Sequence, residues 1–448
     1  MTSEITTRCH GASMSRVATR IFCLCLVISM GLSGCDTTPS DTPSPTETPD
    51  TATPQPTPTR DVGLTPTPGG AFLPPGPVTL TIWTIQEFAP TDEDAGGRLL
   101  LNQLLAFDRS HPDLTVEVIV KRPTGPGGIM DYLNTASEVA PSVLPDVTVL
   151  NSQMLRTAAT FGVVQRLDDL LLPEMVEDLY PVAGQLGRVD GDLLGIPFAV
   201  DFEHVVYNTG VLTDTSPTTW EAIMDSDGPY LFPAADGAPV DSTLIHYMAA
   251  GGTLYDEEAN PRFEIDPLTE VFRFYQRADS GGIIPVAALH TDSLDASWDA
   301  YQNGNALIAH TSATRYLSGR AGLLKTAVSP VPGPEKAARS LVSAWHLVII
   351  TPDPSRQQLA AELLDWLMAP DNLGVWSYAG RWLPASDGAM AAWPTNDDYV
   401  RFAREQILSA IPCPGEEYYQ VAQSLGLAVR DVLLGRSSPA AAAANANP

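Results

Sequence analysis

The chain has 448 residues, which is enough for two lobes with hydrophobic cores of their own. Its formal net charge of −28 repels nucleic acid and anionic lipid, so neither is expected as a partner through charge. Only Cys413 of the five cysteines lies in the part expected to fold, so a disulfide framework and a cysteine-based metal site are excluded. No cofactor and no metal are expected.

Residues 1–34 are typical of an export signal. Arg16 and Arg20 precede an apolar run of about 12–14 residues, which is too short to cross a bilayer of ~30 Å. The run ends in Leu-Ser-Gly-Cys at residues 32–35, which resembles the bacterial lipobox, whose cysteine is acylated and becomes the new N-terminus. The resemblance implies a lipid anchor at Cys35; the alternative is an ordinary signal peptide with an incidental cysteine.

Residues 35–77 are predicted to be a linker. The stretch 36–68 is dominated by proline and threonine and has almost no apolar side chains, so it cannot form a packed core. Frequent proline favours an extended polyproline II conformation. This composition predicts a stalk that holds a folded part away from a membrane surface.

The folded part is expected to begin near Val78 with alternating strands and helices. Apolar, β-branched residues predict strands over 78–84, 114–120 and 144–150. Helical spacing of apolar residues predicts helices over 98–109 and about 129–140. This order with short connections predicts a mostly parallel sheet covered by helices, in an α/β fold.

The stretch 195–208, Gly-Ile-Pro-Phe-Ala-Val-Asp-Phe-Glu-His-Val-Val-Tyr-Asn, predicts a long strand. Alternation places Asp201 and Glu203 on one face and Phe202 and His204 on the other. Two acidic groups on an otherwise apolar strand are costly to bury. They are therefore either solvated at a sheet edge or line a cavity that a polar group fills.

Further elements follow in the C-terminal half. The pattern predicts helices over 242–250, 266–278 and 355–369, strands over 306–310 and 343–350, and a proline-stiffened crossing over 328–334. The chain end, residues 437–448, is expected to be a disordered tail.

Several short motifs together resemble one family. They are Pro-Phe-Ala-Val-Asp at 197–201, Thr-Trp-Glu-Ala-Ile at 219–223, Met-Ala-Pro-Asp at 368–371 and Gly-Arg-Trp-Leu-Pro at 380–384. In this order, over about residues 78–436, they resemble extracellular solute-binding proteins of sugar ABC importers, the maltose-binding-protein-like group. The resemblance implies a periplasmic-binding-protein-like fold of two α/β lobes joined by hinge crossings. We expect one lobe from 78–200 plus 335–372 and the other from 201–331 plus 373–436.

The resemblance also implies a ligand site between the lobes, with Asp201 at the hinge as a hydrogen-bond partner of the sugar. Sugars present hydroxyl groups and apolar ring faces, which require planar polar groups and aromatic platforms. Positions at strand ends, in loops of the first lobe and beside the crossings add further candidates: Glu203, Trp83, Gln86, Glu87, Asn151, Trp345, Arg381 and Trp382. Where the family usually has a glycine and a stacking tryptophan, this chain has 311–314, Thr-Ser-Ala-Thr, which indicates a smaller or more polar contact.

The function implied is a membrane-anchored receptor outside the cytoplasm that captures a mono- or oligosaccharide as a monomer and delivers it to an ABC permease. It is not expected to be an enzyme. Two alternatives are a receptor of the same fold for a polyamine, a phosphate ester or a metal, and an anchored glycoside hydrolase. The hydrolase rests on the Asp201 and Glu203 pair, which strand geometry places roughly 6–7 Å apart.

Overall fold

The computed structural model describes residues 78–446, except for 214–215, 227, 257 and 259. The expected signal, the lipobox cysteine Cys35 and the linker all lie outside the described residues. Among the residues that are described, no helix combines the length and the apolar composition that a membrane crossing requires.

The strands alternate with the helices along most of the chain. The strands are β1 (Val78–Thr84), β2 (Leu114–Val120), β3 (Val147–Asn151), β4 (Arg188–Val189), β5 (Asp192–Leu193), β6 (Ile196–Asn208), β7 (Tyr230–Leu231), β8 (Ile308–Ser312), β9 (Thr326–Ser329), β10 (Leu341–Ile349), β11 (Leu383–Pro384) and β12 (Ile411–Pro412). The predicted strands at 78–84 and 114–120 are confirmed.

Sixteen helices accompany these strands in the described part of the chain. They are α1 (Ala95–Ser110), α2 (Ile129–Val139), α3 (Ser152–Thr160), α4 (Pro173–Glu177), α5 (Pro181–Leu186), α6 (Trp220–Met224), α7 (Asp241–Ala249), α8 (Ile265–Ser280), α9 (Leu294–Gln302), α10 (Ala313–Gly319), α11 (Pro354–Met368), α12 (Pro370–Gly380), α13 (Asp387–Ala391), α14 (Asp398–Ser409), α15 (Glu416–Leu433) and α16 (Pro439–Ala446). The predicted helices agree with these bounds to within a few residues.

The sheet is mixed, which corrects the expectation of a mostly parallel one. Its strand order is β2-β1-β3-β10-β6-β8-β7. Strands β1, β2 and β3 form the predicted parallel group, and β7–β8 and β10–β12 are also parallel pairs. Strand β10 pairs antiparallel with both β3 and β6. The direction reverses there because the chain enters this group of strands from the opposite end.

Buried apolar side chains form two cores. The first core holds most of the apolar residues from Leu80 to Phe202 and from Val342 to Ala410. The second core holds those from Val205 to Ala309 and from 418 to 446, together with Val331, Ala338 and Leu341. Helix α10 is the exception in sequence order, since Ala313 and Leu317 pack on the first core. The expected α/β fold with two lobes is thus confirmed.

Three segments lead from one core to the other, and they lie side by side. Strand β6 passes from Phe202 in the first core to Val205 in the second, and β10 passes from Leu341 to Val342. The short strand β12 follows Ala410 of the first core and pairs in parallel with β10. We call β6, β10 and β12 the crossing segments. The proline-rich stretch 328–334, which was expected to cross, instead stays with the second core through Val331.

Two of the expected boundaries are wrong. Residues 373–410 belong to the first core, because α12 packs on α1 and buries Leu373 and Trp376 there. The expected disordered tail is a helix over Pro439–Ala446, and Ala442 and Ala443 are buried between α8 and α15. Small alanine side chains let this helix approach its neighbours closely, and alanine has the highest helix propensity.

Candidate functional site

A cavity of about 1050 Å³, counting the part that is open to solvent, lies between the two cores. Its floor consists of the crossing segments, with residues 201–203 of β6, 343–345 of β10 and Cys413 just after β12. Residues 151–153 and Arg156 face it from the first core. Helix α7, Leu294, Ser312 and Tyr419 face it from the second core. We call it the interlobe cavity.

Asp201 lies at the centre of the floor, beside the start of α10. Its Oδ1 accepts hydrogen bonds from the backbone N–H groups of Phe202 at 2.9 Å and Thr314 at 3.0 Å. Burial raises the pKa of Asp201 to about 6, against the opposing effect of hydrogen bonds from Thr314, Ser312 and Phe202. The stretch that replaces the family's usual tryptophan therefore supplies a backbone donor to this carboxylate.

Glu203 is two residues further along the same face of β6. Its Oε1 accepts a hydrogen bond of 2.5 Å from the Ser242 hydroxyl and another from Nδ1 of His310. Only 5% of the Glu203 side chain is exposed. Burial raises the pKa of Glu203 to about 8.

A chain of buried side chains extends from Glu203 into the second core. Tyr230 bonds through its hydroxyl to Nε2 of His310 and, at 2.9 Å, to Nε2 of His246. The indole N–H of Trp220 donates to Nδ1 of His246 at 3.0 Å. We call Trp220, His246, Tyr230, His310 and Glu203 the buried relay.

The hydrogen bonds of the buried relay all point the same way. An indole N–H can only donate, so Nδ1 of His246 accepts and its Nε2–H donates to the Tyr230 hydroxyl. Tyr230 then donates to His310, and His310 donates to the Glu203 carboxylate. Burial lowers the pKa of His246 well below its usual range and that of His310 to about 3, which keeps both rings neutral. The relay thus directs every donor toward a carboxylate that lines the cavity.

The second-core wall carries another acidic group. Asp241 opens α7, and its Oδ1 accepts a hydrogen bond of 2.6 Å from the Tyr419 hydroxyl. Burial, with a smaller contribution from the charge of Glu203, raises the pKa of Asp241 to about 6. Across the cavity, Nη2 of Arg156 donates to the Pro414 carbonyl at 3.2 Å. Its Nε is buried and has no partner among the described residues.

Asn151 and Trp345 stand next to each other in the first core, as cross-strand partners of β3 and β10. The Asn151 side chain caps α3, since its Oδ1 accepts from the Met154 N–H at 2.9 Å. The Trp345 ring is half-buried and packs edge-on against Phe88, with centroids 5.3 Å apart. Its remaining surface lines the interlobe cavity.

Four of the nine candidate residues therefore line the interlobe cavity: Asp201, Glu203, Asn151 and Trp345. The first βα connection does not contribute to it. Trp83 is 3% exposed and packs on Tyr132 with the Lys121 ammonium 4.3 Å above its ring. Gln86 and Glu87 are exposed in a short 3₁₀ helix and are absent from the cavity lining.

The segment after α12 also lies outside the cavity lining. Arg381 is exposed, takes a left-handed backbone conformation with φ of 63°, and donates to the Ser318 carbonyl at 3.0 Å. Trp382 is half-buried and packs on Phe88, with ring centroids 4.8 Å apart. Both residues act here as packing and bridging groups.

Sequence reasoning missed Arg156, Asp241 and Tyr419. Arg156 could have been found, because it lies one helical turn after Ser152 and so shares its face of α3. Asp241 and Tyr419 come from helices far along the chain, and nothing in their local pattern indicates a shared site.

The histidines His204, His310 and His346 are fully buried. In the described part of the chain, no group of three or more His, Cys, Asp or Glu is arranged to hold a metal ion.

A two-lobed α/β protein with a polar cavity at its chain crossings has the architecture of a solute-binding receptor. The chain belongs to the bacterial extracellular solute-binding proteins, since the model of that family matches residues 105–400, more than half of the chain. This is a family of binding proteins that work outside the cytoplasm. None of the curated proteins compared with the chain matches it.

Solved structures share the fold at low sequence identity. The cyclic alpha-maltosyl-1,6-maltose binding protein of Arthrobacter globiformis superposes with a TM-score of 0.67 at 16% identity, covering 83% of this chain and 97% of that one. The sugar-binding protein MalE of Xanthomonas citri gives 0.67 at 19% identity, with coverage of 82% and 95%. The GacH receptor of Streptomyces glaucescens, solved without ligand and with acarbose, gives 0.64 at 18% identity, with coverage of 82% and 96%.

Proposed function

We propose that the protein is a receptor that captures a carbohydrate in the interlobe cavity and delivers it to an ABC transporter permease. The observation that carries this proposal is the lining of the cavity, which Asp201, Glu203 and Asn151 share with the exposed part of Trp345. Carboxylates and amides accept and donate hydrogen bonds to sugar hydroxyls, and an indole face covers the apolar face of a sugar ring.

The crossing segments can couple ligand binding to the arrangement of the two lobes. A ligand that touches both cores stabilises the closed arrangement of the lobes relative to the open one. Asp201 and Ser343 are cross-strand partners where two crossing segments pair, and Glu203 lies just beyond this pairing on β6. A ligand bound to them therefore contacts the region about which the lobes would move. Of the neighbours named above, one is a cyclic alpha-maltosyl-1,6-maltose binding protein, one is a sugar-binding protein and one was solved with acarbose, which supports a carbohydrate ligand here.

A thermal-shift screen with mono- and oligosaccharides tests this function. A ligand present at about 100 times its Kd adds about 2.7 kcal/mol to the free energy of unfolding, so a true ligand raises the Tm clearly. Amino acids, polyamines and phosphate esters belong in the same screen. A Tm that rises with one of these and with no sugar would contradict a carbohydrate receptor.

We also propose that the receptor is anchored through an acylated Cys35 and that residues 36–77 tether the folded part to the membrane. Cys35→Ala is expected to move the protein from the membrane fraction to the soluble one, because the only lipid attachment is lost. Cys25→Ala, which changes a cysteine within the apolar run, is the matched control and should stay at the membrane. Retention of Cys35→Ala in the membrane fraction after a salt wash would contradict an anchor at Cys35.

A further inference from the structure

We propose that the carbohydrate is an amino sugar whose protonated amine binds between Glu203 and Asp241; this inference rests on the proposed function. Glu203 is on the cavity floor and Asp241 opens α7 in the second-core wall. The two are adjacent in space, since Ser242 follows Asp241 in the chain and donates to Glu203.

The charges that face the interlobe cavity do not balance. Among the side chains that the structure describes there, Asp201, Glu203 and Asp241 are acidic, and Arg156 is the single base. Arg156 is on the opposite wall and is held by the Pro414 carbonyl. A pair of buried carboxyl groups without a cation beside them is costly, and each disfavours ionisation of the other. A cationic ligand would remove this cost, whereas a neutral one would leave it.

Glu203 provides an unused acceptor at this point. Both of its hydrogen bonds from described residues, those from Ser242 and His310, end on Oε1. Oε2 accepts none from the described residues, although 95% of the side chain is buried and the residue lines the cavity. Because Ser242 and His310 of the second lobe already donate to Oε1, Oε2 remains available to a hydrogen-bond donor of a ligand in the cavity.

A protonated amine fits this place better than other donors. It carries three N–H donors and a full positive charge, so it can bond Oε2 of Glu203 and a carboxylate oxygen of Asp241 together. A sugar hydroxyl gives a hydrogen bond without neutralising either group. A bare metal ion is disfavoured, since no cluster of three or more metal-ligating side chains exists among the described residues. Trp345 on the cavity floor and Asn151, its cross-strand partner on the first-core wall, suit the ring and the hydroxyls of the same molecule.

Binding of an amine should also release a proton. Burial raises the pKa of Glu203 to about 8, so the empty site holds a proton on this group at neutral pH in much of the population. An ammonium group beside it favours the carboxylate, and the proton passes to the buffer. The titratable groups that interact with Glu203 from the elements packed around it are His310 of β8, Tyr230 of β7, Asp241 of α7, Tyr275 of α8 and Cys413. Of these, Asp241 is the other group that an ammonium would ionise.

Calorimetric titrations with matched disaccharides test the inference. The probes are β-1,4-linked glucosamine disaccharide, its N-acetylated form and cellobiose, with spermidine as an amine that lacks a ring. The glucosamine disaccharide is expected to bind at least about tenfold more tightly than the two neutral sugars, as a charged hydrogen bond implies. Its titration in two buffers of different ionisation heat should show proton release.

Three variants test which side chains bind the protonated amine. Glu203→Gln and Asp241→Asn should each weaken binding of the glucosamine disaccharide by at least about tenfold more than binding of cellobiose, so that the preference for the amine is lost. Tm values show that each variant is folded. Glu117→Gln changes an exposed acid on β2 and should keep the preference. Equal affinity for cellobiose and the glucosamine disaccharide would overturn this inference and leave carbohydrate binding intact. Tightest binding of spermidine, or no binding of any sugar, would overturn both.

Discussion

The two walls of the interlobe cavity are built differently. On the first-core side, Asn151 and Arg156 are held by bonds to nearby backbone, at Met154 and Pro414. On the second-core side, a relay of buried polar groups runs from Trp220 through His310 and ends at Glu203 on the cavity floor. A group held by one backbone contact can be changed at little cost to the fold. A group at the end of a buried network cannot, because its removal leaves other polar atoms without partners.

The largest expected effect is on the pH dependence of stability, and it belongs to the second-core side. The pKa of Glu203 is near 4.5 when unfolded and rises to about 8 in the fold. Between these values the folded state keeps a proton that the unfolded state has released, so the free energy of unfolding falls as pH rises from about 4.5 to 8. His310, whose pKa falls to about 3, has the opposite effect between about 3 and 6.5.

Glu203→Gln isolates the contribution of the carboxyl group. The free energy of unfolding of the parent minus that of Glu203→Gln should fall with pH by roughly 1.4 kcal/mol per unit across the window from 4.5 to 8. Urea unfolding at several pH values measures it. A difference that stays flat across this window would mean that Glu203 ionises in the fold as it does in water.

The next largest effect is expected on the free energy of unfolding when the buried relay is interrupted at His310. His310→Leu removes the acceptor of the buried Tyr230 O–H and one of the two donors to Glu203, which keeps its bond from Ser242. A buried donor left unpaired costs about 1–3 kcal/mol and a lost hydrogen bond about 0.5–1.5 kcal/mol, so the free energy of unfolding should fall by roughly 2–4 kcal/mol. The exposed His290 offers a matched control, since His290→Leu should change stability by less than about 0.5 kcal/mol. Equal values for the two variants would show that the relay carries no stability.

A substitution at Asp201 tests whether the ligand binds at the floor of the interlobe cavity. Asp201→Asn keeps an oxygen for the Thr314 N–H but removes the charge, so stability should change little. A hydrogen bond to a charged group contributes about 1.5–3 kcal/mol, so ligand affinity should fall by roughly 10- to 100-fold. Titration calorimetry with a sugar found by the screen measures it. Unchanged affinity would place the ligand away from the crossing segments.

Much of the fold could be predicted because its elements have strong local patterns. The strands β1, β2 and β6 are rich in β-branched and aromatic residues, and α11 has a clear apolar stripe. Helix α16 could not be predicted this way, since a run of alanines has no periodic contrast between buried and exposed faces. The third crossing, at β12, is only two residues long and pairs with β10 some 70 positions earlier, so no local signal marks it.

The candidate site was predictable where one strand determined it. Alternation along β6 placed Asp201 and Glu203 on the cavity face, and adjacency to the crossing placed Trp345. Trp83 does not line the interlobe cavity, because a strand end at the right sheet edge does not fix the side-chain direction, and its ring packs on Tyr132. Asp241 and Tyr419 meet the cavity only through the packing of α7 and α15, which depends on tertiary contacts.

The smallest expected effect belongs to Asn151 on the first-core wall. It distinguishes a role of Asn151 in ligand binding from its role as a helix cap. Asn151→Ala removes the cap of α3 and a polar group that faces the cavity, so it should lower the free energy of unfolding by about 1 kcal/mol and weaken sugar binding by about tenfold or less. Asp94→Ala is the matched control, because Asp94 caps α1 through the Gly97 N–H but does not line the cavity. It should lose a similar stability and keep full affinity. If both variants bind the sugar equally well, Asn151 serves as a cap and does not contribute to binding.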